Sequence, residues 1–255
     1  YSNRNIKIFM ENINIKEILD YFKSGKFDIA KKETALLIKK FPNNHFLYNL
    51  FGAILAGQKK LDESIVYFEK SIEISPNYAD AYNNLAGVLA DQKKYNKAIE
   101  YFQKAIKIQP NFVATYNNLG IVFKELGEHK KAMSHFQKAI EIDPNYLGAH
   151  NNLGNAFKEL GEHKKAIGCY EKAIQIDPNY ATAHSNLGLA FEELGKFNEA
   201  KKYFEKSLNL DPNKEKTCED YGNLLLKLNQ HKKALEYFKK GTGFIQFTQK
   251  DFKII

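Results

Sequence analysis

Large apolar and small residues return along this chain at helical spacing, and they return in blocks. Phe51, Gly52 and Leu55 fall on one stripe, then Ser64, Phe68 and Ser71 on another; the same two sets reappear as Leu85, Ala86, Leu89 and Ala98, Phe102, Ala105. At about 100° per residue, each set occupies one face of a helix, and lysine, asparagine and glutamate fill the faces between. The pattern predicts pairs of amphipathic helices, a short turn within each pair and another between pairs.

The blocks keep strict time. The six prolines, Pro42, Pro76, Pro110, Pro144, Pro178 and Pro212, are each 34 residues apart, and an asparagine follows every one of them. Such a register marks a duplicated unit. With His45, Ala79, Val113, Leu147, Ala181 and Glu215 as position 1, position 8 reads Gly52, Ala86, Gly120, Gly154, Gly188 and Gly222. Position 20 reads Ser64 and then five alanines, and position 24 reads Phe68, Phe102, Phe136, Tyr170, Phe204 and Phe238. Small residues at 8, 20 and 27 admit close helix axes, and the large ones at 7, 11 and 24 fill the seam. Glycine at position 15 (Gly127, Gly161, Gly195) is expected to end the first helix. The Asp-Pro pair is expected to end the second, because the residue before proline is pushed out of the α region. The asparagine after the proline is expected to cap the next first helix. One unit cannot bury its apolar faces alone, so neighbours must stack into a quasi-one-dimensional array.

These residues resemble the tetratricopeptide repeat. Its pattern of a large residue at 4, Leu-Gly at 7–8, an aromatic at 11 and 24, alanine at 20 and 27 and proline at 32 is met almost fully over 79–212. Departures include Leu55 and Leu89 at position 11 and His150 and His184 at position 4. The resemblance implies an all-α fold, a right-handed α-solenoid of antiparallel helix pairs with about seven units. These are 11–44, 45–78, 79–112, 113–146, 147–180, 181–214 and a partial 215–240. Residues 1–10 are then a tail or partial helix, and 241–255 a non-repeat segment. The words Asn-Asn-Leu-Gly and Tyr-Glu-Lys-Ala-Ile further look like the arrays of O-linked N-acetylglucosamine transferase and of many bacterial repeat proteins.

Charge changes the picture less than its total suggests. The net +8 lies at the two ends: residues 43–213 carry 20 lysines against 20 acidic side chains, and only Arg4 among the 38 basic residues is arginine. Nucleic-acid binding is therefore not favoured; a pentatricopeptide-like RNA-binding solenoid would also run at 35 residues with a basic groove. With 44% apolar and 27% charged residues the chain is too apolar for disorder and too interrupted for a membrane span. Two cysteines make no disulfide framework, which points to a reducing, cytoplasmic compartment. The start at Tyr1, with no apolar leader, looks like an excerpt or a processed product.

Candidate chemistry is sparse. His129, His163 and His231 share position 17, and no HExxH or completing carboxylate accompanies them, so packing or turn roles are expected and no metal or cofactor. Cys169 and Cys218 lack an activating histidine motif. No catalytic constellation emerges, and the chain is not expected to be an enzyme. Positions 2, 6, 9 and 13 lie opposite the packed face, with position 5 at its edge. The resemblance implies that this face lines a concave, peptide-binding groove. It carries Asn83, Asn84, Asn117, Asn118, Asn151, Asn152, Asn155 and Asn186, whose amides both donate and accept, as an extended peptide backbone requires. Two plainer readings stand beside it. The amides bond only to neighbouring helices or water, or they reflect an AT-rich composition. The carboxylate-clamp variant is missing, since position 5 holds asparagine or Ser185 where lysine is needed.

After Lys240 the repeat breaks into Gly241-Thr242-Gly243-Phe244-Ile245-Gln246-Phe247, rich in β-formers, and Phe252, Ile254 and Ile255 follow. This segment reads either as a tail folded over the last helix pair or as the first strand of a further domain. The functions expected are, first, a scaffold that binds a protein or peptide partner, and second, the substrate-selecting arm of a glycosyltransferase, sulfotransferase or iron-dependent oxygenase.

Overall fold

The computed structural model describes residues 15–242, 245–247 and 252–254; the tail expected over 1–10 lies outside them. The described residues form fourteen helices: α1 (Ile15–Lys23), α2 (Phe27–Lys40), α3 (His45–Gly57), α4 (Leu61–Ile74), α5 (Ala79–Asp91), α6 (Tyr95–Ile108), α7 (Val113–Glu125), α8 (His129–Ile142), α9 (Leu147–Glu159), α10 (His163–Ile176), α11 (Ala181–Glu193), α12 (Phe197–Leu210), α13 (Glu215–Lys227) and α14 (His231–Thr242). The fold is all-α apart from a short antiparallel hairpin, β1 (Ile245–Phe247) with β2 (Phe252–Ile254), in which Ile245 pairs with Ile254 and Phe247 with Phe252. The β-forming segment thus finds a strand partner within this chain.

The chain divides into two compact units, 1–122 and 123–255, and the division falls within α7. In the first unit α1 to α6 pack consecutively, and α3 also meets α5; in the second α8 to α14 do the same, with α9 against α11 and α11 against α13. First helices therefore stand side by side within each unit, and second helices back them. The core is what the columns predict: Phe68, Phe102, Phe136, Tyr170, Phe204 and Phe238 are all buried, as are Ala98, Ala132, Ala166, Ala200 and Ala234. A Cβ added to Gly52 would sit 2.7 Å from the Phe68 ring, and one on Gly222 2.6 Å from Phe238. Gly52 and Gly222 thus leave the room that the ring at position 24 occupies against the first helix.

Helix ends need one correction. Gly25, Gly127, Gly161 and Gly195 do end first helices with positive φ. At Pro42, Pro76, Pro144, Pro178 and Pro212, however, the asparagine that follows does not cap. The residue before the helix is one further on, Asn44, Tyr78, Tyr146, Tyr180 or Lys214, and of these only Asn44 caps, its side chain accepting from the Leu47 N–H. Pro-Asn is used up by the turn. Where Asp143 and Asp177 precede the proline, the carboxylate holds that turn instead, Asp143 Oδ1 accepting from the Asn145 N–H at 3.0 Å and Asp177 Oδ1 from Asn179 at 2.9 Å.

Candidate functional site: the amide wall of the first helices

Consecutive asparagines on a first helix point about 100° apart, so positions 5 and 6 have different fates. Position 5 turns into the seam: Asn49, Asn83, Asn117 and Asn151 are buried, as is Ser185. Position 6 stays half-exposed at Asn84, Asn118, Asn152 and Asn186. The two columns are linked across successive pairs. Asn84 Nδ2 donates to Asn49 Oδ1 at 3.0 Å and Asn118 Nδ2 to Asn83 Oδ1 at 3.3 Å in the first unit; Asn186 Nδ2 donates to Asn151 Oδ1 at 2.8 Å in the second. Burying an amide without a partner would cost about 1–3 kcal/mol, so these rungs are what makes asparagine tolerable at position 5.

Position 3 adds a second rung where it holds threonine. Thr115 Oγ1 donates to Asn83 Oδ1, and Thr217 Oγ1 to Ser185 Oγ, both at 3.0 Å. Neither threonine stood out in the sequence, although reading down column 3 (Leu47, Ala81, Thr115, Ala149, Ala183, Thr217) would have shown both. Asn155 is committed differently: its Oδ1 accepts the Tyr170 hydroxyl at 2.8 Å, tying the wall to the second helix behind it. At the far end of the second unit the wall turns ionic. Lys214 Nζ donates to Thr182 Oγ1 at 2.7 Å, Lys227 reaches Glu192 Oε1 at 2.7 Å, and Lys216 reaches the buried Asp220 at 3.1 Å.

The histidines act in turns and seams. His150 and His184 are buried, and each places Nε2 2.9 Å from the carbonyl six residues earlier, that of Pro144 or Pro178. A carbonyl only accepts, so Nε2 carries the proton. Cys218 sits in the same column and points Sγ at the Pro212 carbonyl, 3.7 Å away. His129 and His163 bring Nδ1 to 3.4 and 2.8 Å from Glu159 and Glu193 of the next pair. Burial pushes the Cys169 thiol up to about 11, which keeps the thiolate scarce at neutral pH, and pushes the Tyr78 hydroxyl up to about 12. Among the described residues no group of three or more His, Cys, Asp or Glu could hold a metal ion, and no helix is long and apolar enough to cross a membrane.

The helix pairs, their 34-residue spacing and the glycine-on-ring packing define a helical repeat protein. Family models described as tetratricopeptide repeat match residues 45–111, 77–145, 135–168, 181–214 and 216–244, and one described as TPR repeat matches 154–195. The chain belongs to the tetratricopeptide repeat family. A crystal structure of the anaphase-promoting-complex hetero-tetramer Cut9–Hcn1 is similar over 89% of this chain and 45% of that one, at 18% identity and a TM-score of 0.76. The chain thus spans less than half the length of that relative. A crystal structure of MamA is 32% identical, covering 65% of this chain and 96% of that one, with a TM-score of 0.55. YrrB, described as a TPR protein with an unusual peptide-binding site, is 21% identical over 77% of this chain and 97% of its own, with a TM-score of 0.54. A search of curated proteins finds no match. The fold is that of tetratricopeptide repeat arrays.

Proposed function

We propose that the amide-bearing first-helix walls bind a segment of a partner protein, extended or helical, and hold it largely through its backbone without catalysing a reaction. One observation carries this reading. Asn118 and Asn186 make their rungs with Nδ2 alone and stay half-exposed, so each Oδ1 is left to accept a ligand N–H. The rungs also fix the rotamers of these amides, so a ligand meets acceptors already in place. Membership in a family of interaction scaffolds supports a protein partner. The groove residues this reading uses are Asn84 and Asn118 in the first unit and Asn152 and Asn186 in the second; Asn83, Asn117 and Asn151 support them from the seam, and Asn155 is held through Tyr170.

Two substitutions test it, one outside the rungs and one that also removes the Asn186 rung to the buried Asn151, so helicity is read beside affinity. Gly87 lies one turn from Asn84 on the same face of α5, and a Cβ there meets nothing within 4 Å. Gly87→Tyr should block the wall of the first unit while leaving stability unchanged or slightly raised, since glycine inside a helix costs about 1 kcal/mol. Asn186→Ala removes the acceptor in the second unit. Peptides selected from a random library on the unaltered chain should bind at least about tenfold more weakly to one or both variants, read by titration calorimetry. Affinity unaltered in both, with helicity intact, refutes the reading.

A further inference from the structure

The large apolar side chains left exposed in the second unit are not scattered. Among its described residues they are Leu126, Leu160 and Leu194, at 39%, 45% and 37% exposure. All three occupy position 14, in the turn between the helices of a pair, and they recur every 34 residues. Stacked pairs therefore set them in one row along an edge of the unit, at the helix ends rather than on the amide wall. A lone exposed leucine needs no explanation, but a row of them does.

The first unit shows position 14 satisfied from within the chain. There Gln58 and Gln92 donate through Nε2 to Asp28 and Asp62, at position 18 of the preceding pair, at 2.7 and 2.8 Å. In the second unit a leucine stands for the glutamine and a lysine for the aspartate: Lys130 holds position 18 ahead of Leu160, and Lys164 ahead of Leu194. Leu194 and Lys164 line one hollow of about 330 Å³ together with Gly161, Glu162, His163 and Lys165. The carboxylates of these turns are already engaged. Glu128 and Glu162 pair with Lys131 and Lys165, and Glu159 and Glu193 face His129 and His163. Lys130 and Lys164 are exposed, and among the described residues no carboxylate pairs with either. Leucines beside unpaired cations complement a surface that is apolar along one stripe and acidic beside it.

We propose that this turn edge is a second docking surface, taken by an amphipathic helix of a partner protein whose apolar stripe is flanked by acidic residues. Packed helices lie about 8–10 Å apart, so leucines of successive pairs are separated by about that distance. Residues i and i+7 of a helix are about 10.5 Å apart along its axis, so one helix laid across the turns meets successive leucines with one face. Its acidic flank then lies over Lys130 and Lys164. This surface is independent of the amide wall.

Helical peptides with a fixed leucine stripe and randomised flanks, selected on the unaltered full chain and measured by titration calorimetry, test it. The selected flanks should be rich in Asp and Glu. Affinity should fall at least about tenfold on Leu160→Gln/Leu194→Gln, which installs the residue that the first unit carries at this turn, and on Lys130→Glu/Lys164→Glu. Gly87→Tyr and Asn186→Ala, which alter the groove, should bind the same peptides as the unaltered chain does. The proposal is overturned if no peptide distinguishes the leucine variant from the unaltered chain, if the flanks are no more acidic than the library, or if the groove variants lose the binding. A dimer seen by sedimentation, or binding to phosphatidylserine vesicles, that the leucine variant abolishes also overturns it, because the edge would then serve a second copy or a membrane.

Discussion

Position 15 must reverse the chain between the two helices of a pair, and the backbone does so in the left-handed region. Glycine takes that φ without cost at Gly127, Gly161 and Gly195 (73°, 74° and 72°), but Lys59 and Lys93 are held at 63° and 60°, and Asn229 at 57°. An asparagine tolerates this region, whereas a lysine Cβ crowds the following carbonyl at a cost of roughly 1–2 kcal/mol. Glycine costs part of that back through the freedom it has when unfolded. Lys59→Gly and Lys93→Gly should each stabilise the protein by about 0.5–1 kcal/mol, read as a higher denaturation midpoint; a lower one would show the left-handed turn to be unstrained. Nothing local in the run Gly57-Gln58-Lys59-Lys60 announces that turn. Only its alignment with glycines 34 residues on does so.

At the scale of the helix, close approach depends on how much the ring at position 24 can give. An added Cβ at Gly188 would sit 3.1 Å from the Phe204 ring, but at Gly154 it would meet the Tyr170 ring at 2.5 Å. Tyr170 is also pinned by its hydroxyl on Asn155, so it cannot slide aside as a phenylalanine can. Gly154→Ala should therefore cost about 2 kcal/mol and Gly188→Ala less than about 1, compared by urea denaturation. Equal costs would mean that the hydroxyl does not hold the ring. Ala86, which stands at the same position opposite Phe102, shows that one methyl group is accommodated where the helices have set their distance for it. Between pairs the two units bring different side chains together. Gln58 and Gln92 donate to Asp28 and Asp62 of the preceding pair in the first unit, and Glu159 and Glu193 face His129 and His163 in the second.

Over the whole sequence, charge is balanced across residues 43–213 and basic toward the ends, terminal repeats included. Partner binding by uncharged amides should then weaken no more than a few-fold between about 50 and 200 mM salt. A nucleic-acid ligand held by six or more lysines would lose about 10³ or more over that range. A steep salt dependence of the bound partner would count against an amide-mediated interface.

The alternation of small and large columns and the turn glycines specified helix pairs, because each follows from neighbours within one turn or one loop, and the 34-residue period follows from lining up the copies. The division of labour between Asn83 and Asn84, or between Asn151 and the Asn186 that bonds it, could not be read the same way. Adjacent side chains differ there by a rotation whose consequence depends on a helix 35 residues away. The cap at Asn44, one residue beyond the expected asparagine, likewise waited on how the Pro-Asn turn closes. Packing between copies, which no single copy encodes, decided which amides became seam and which became surface.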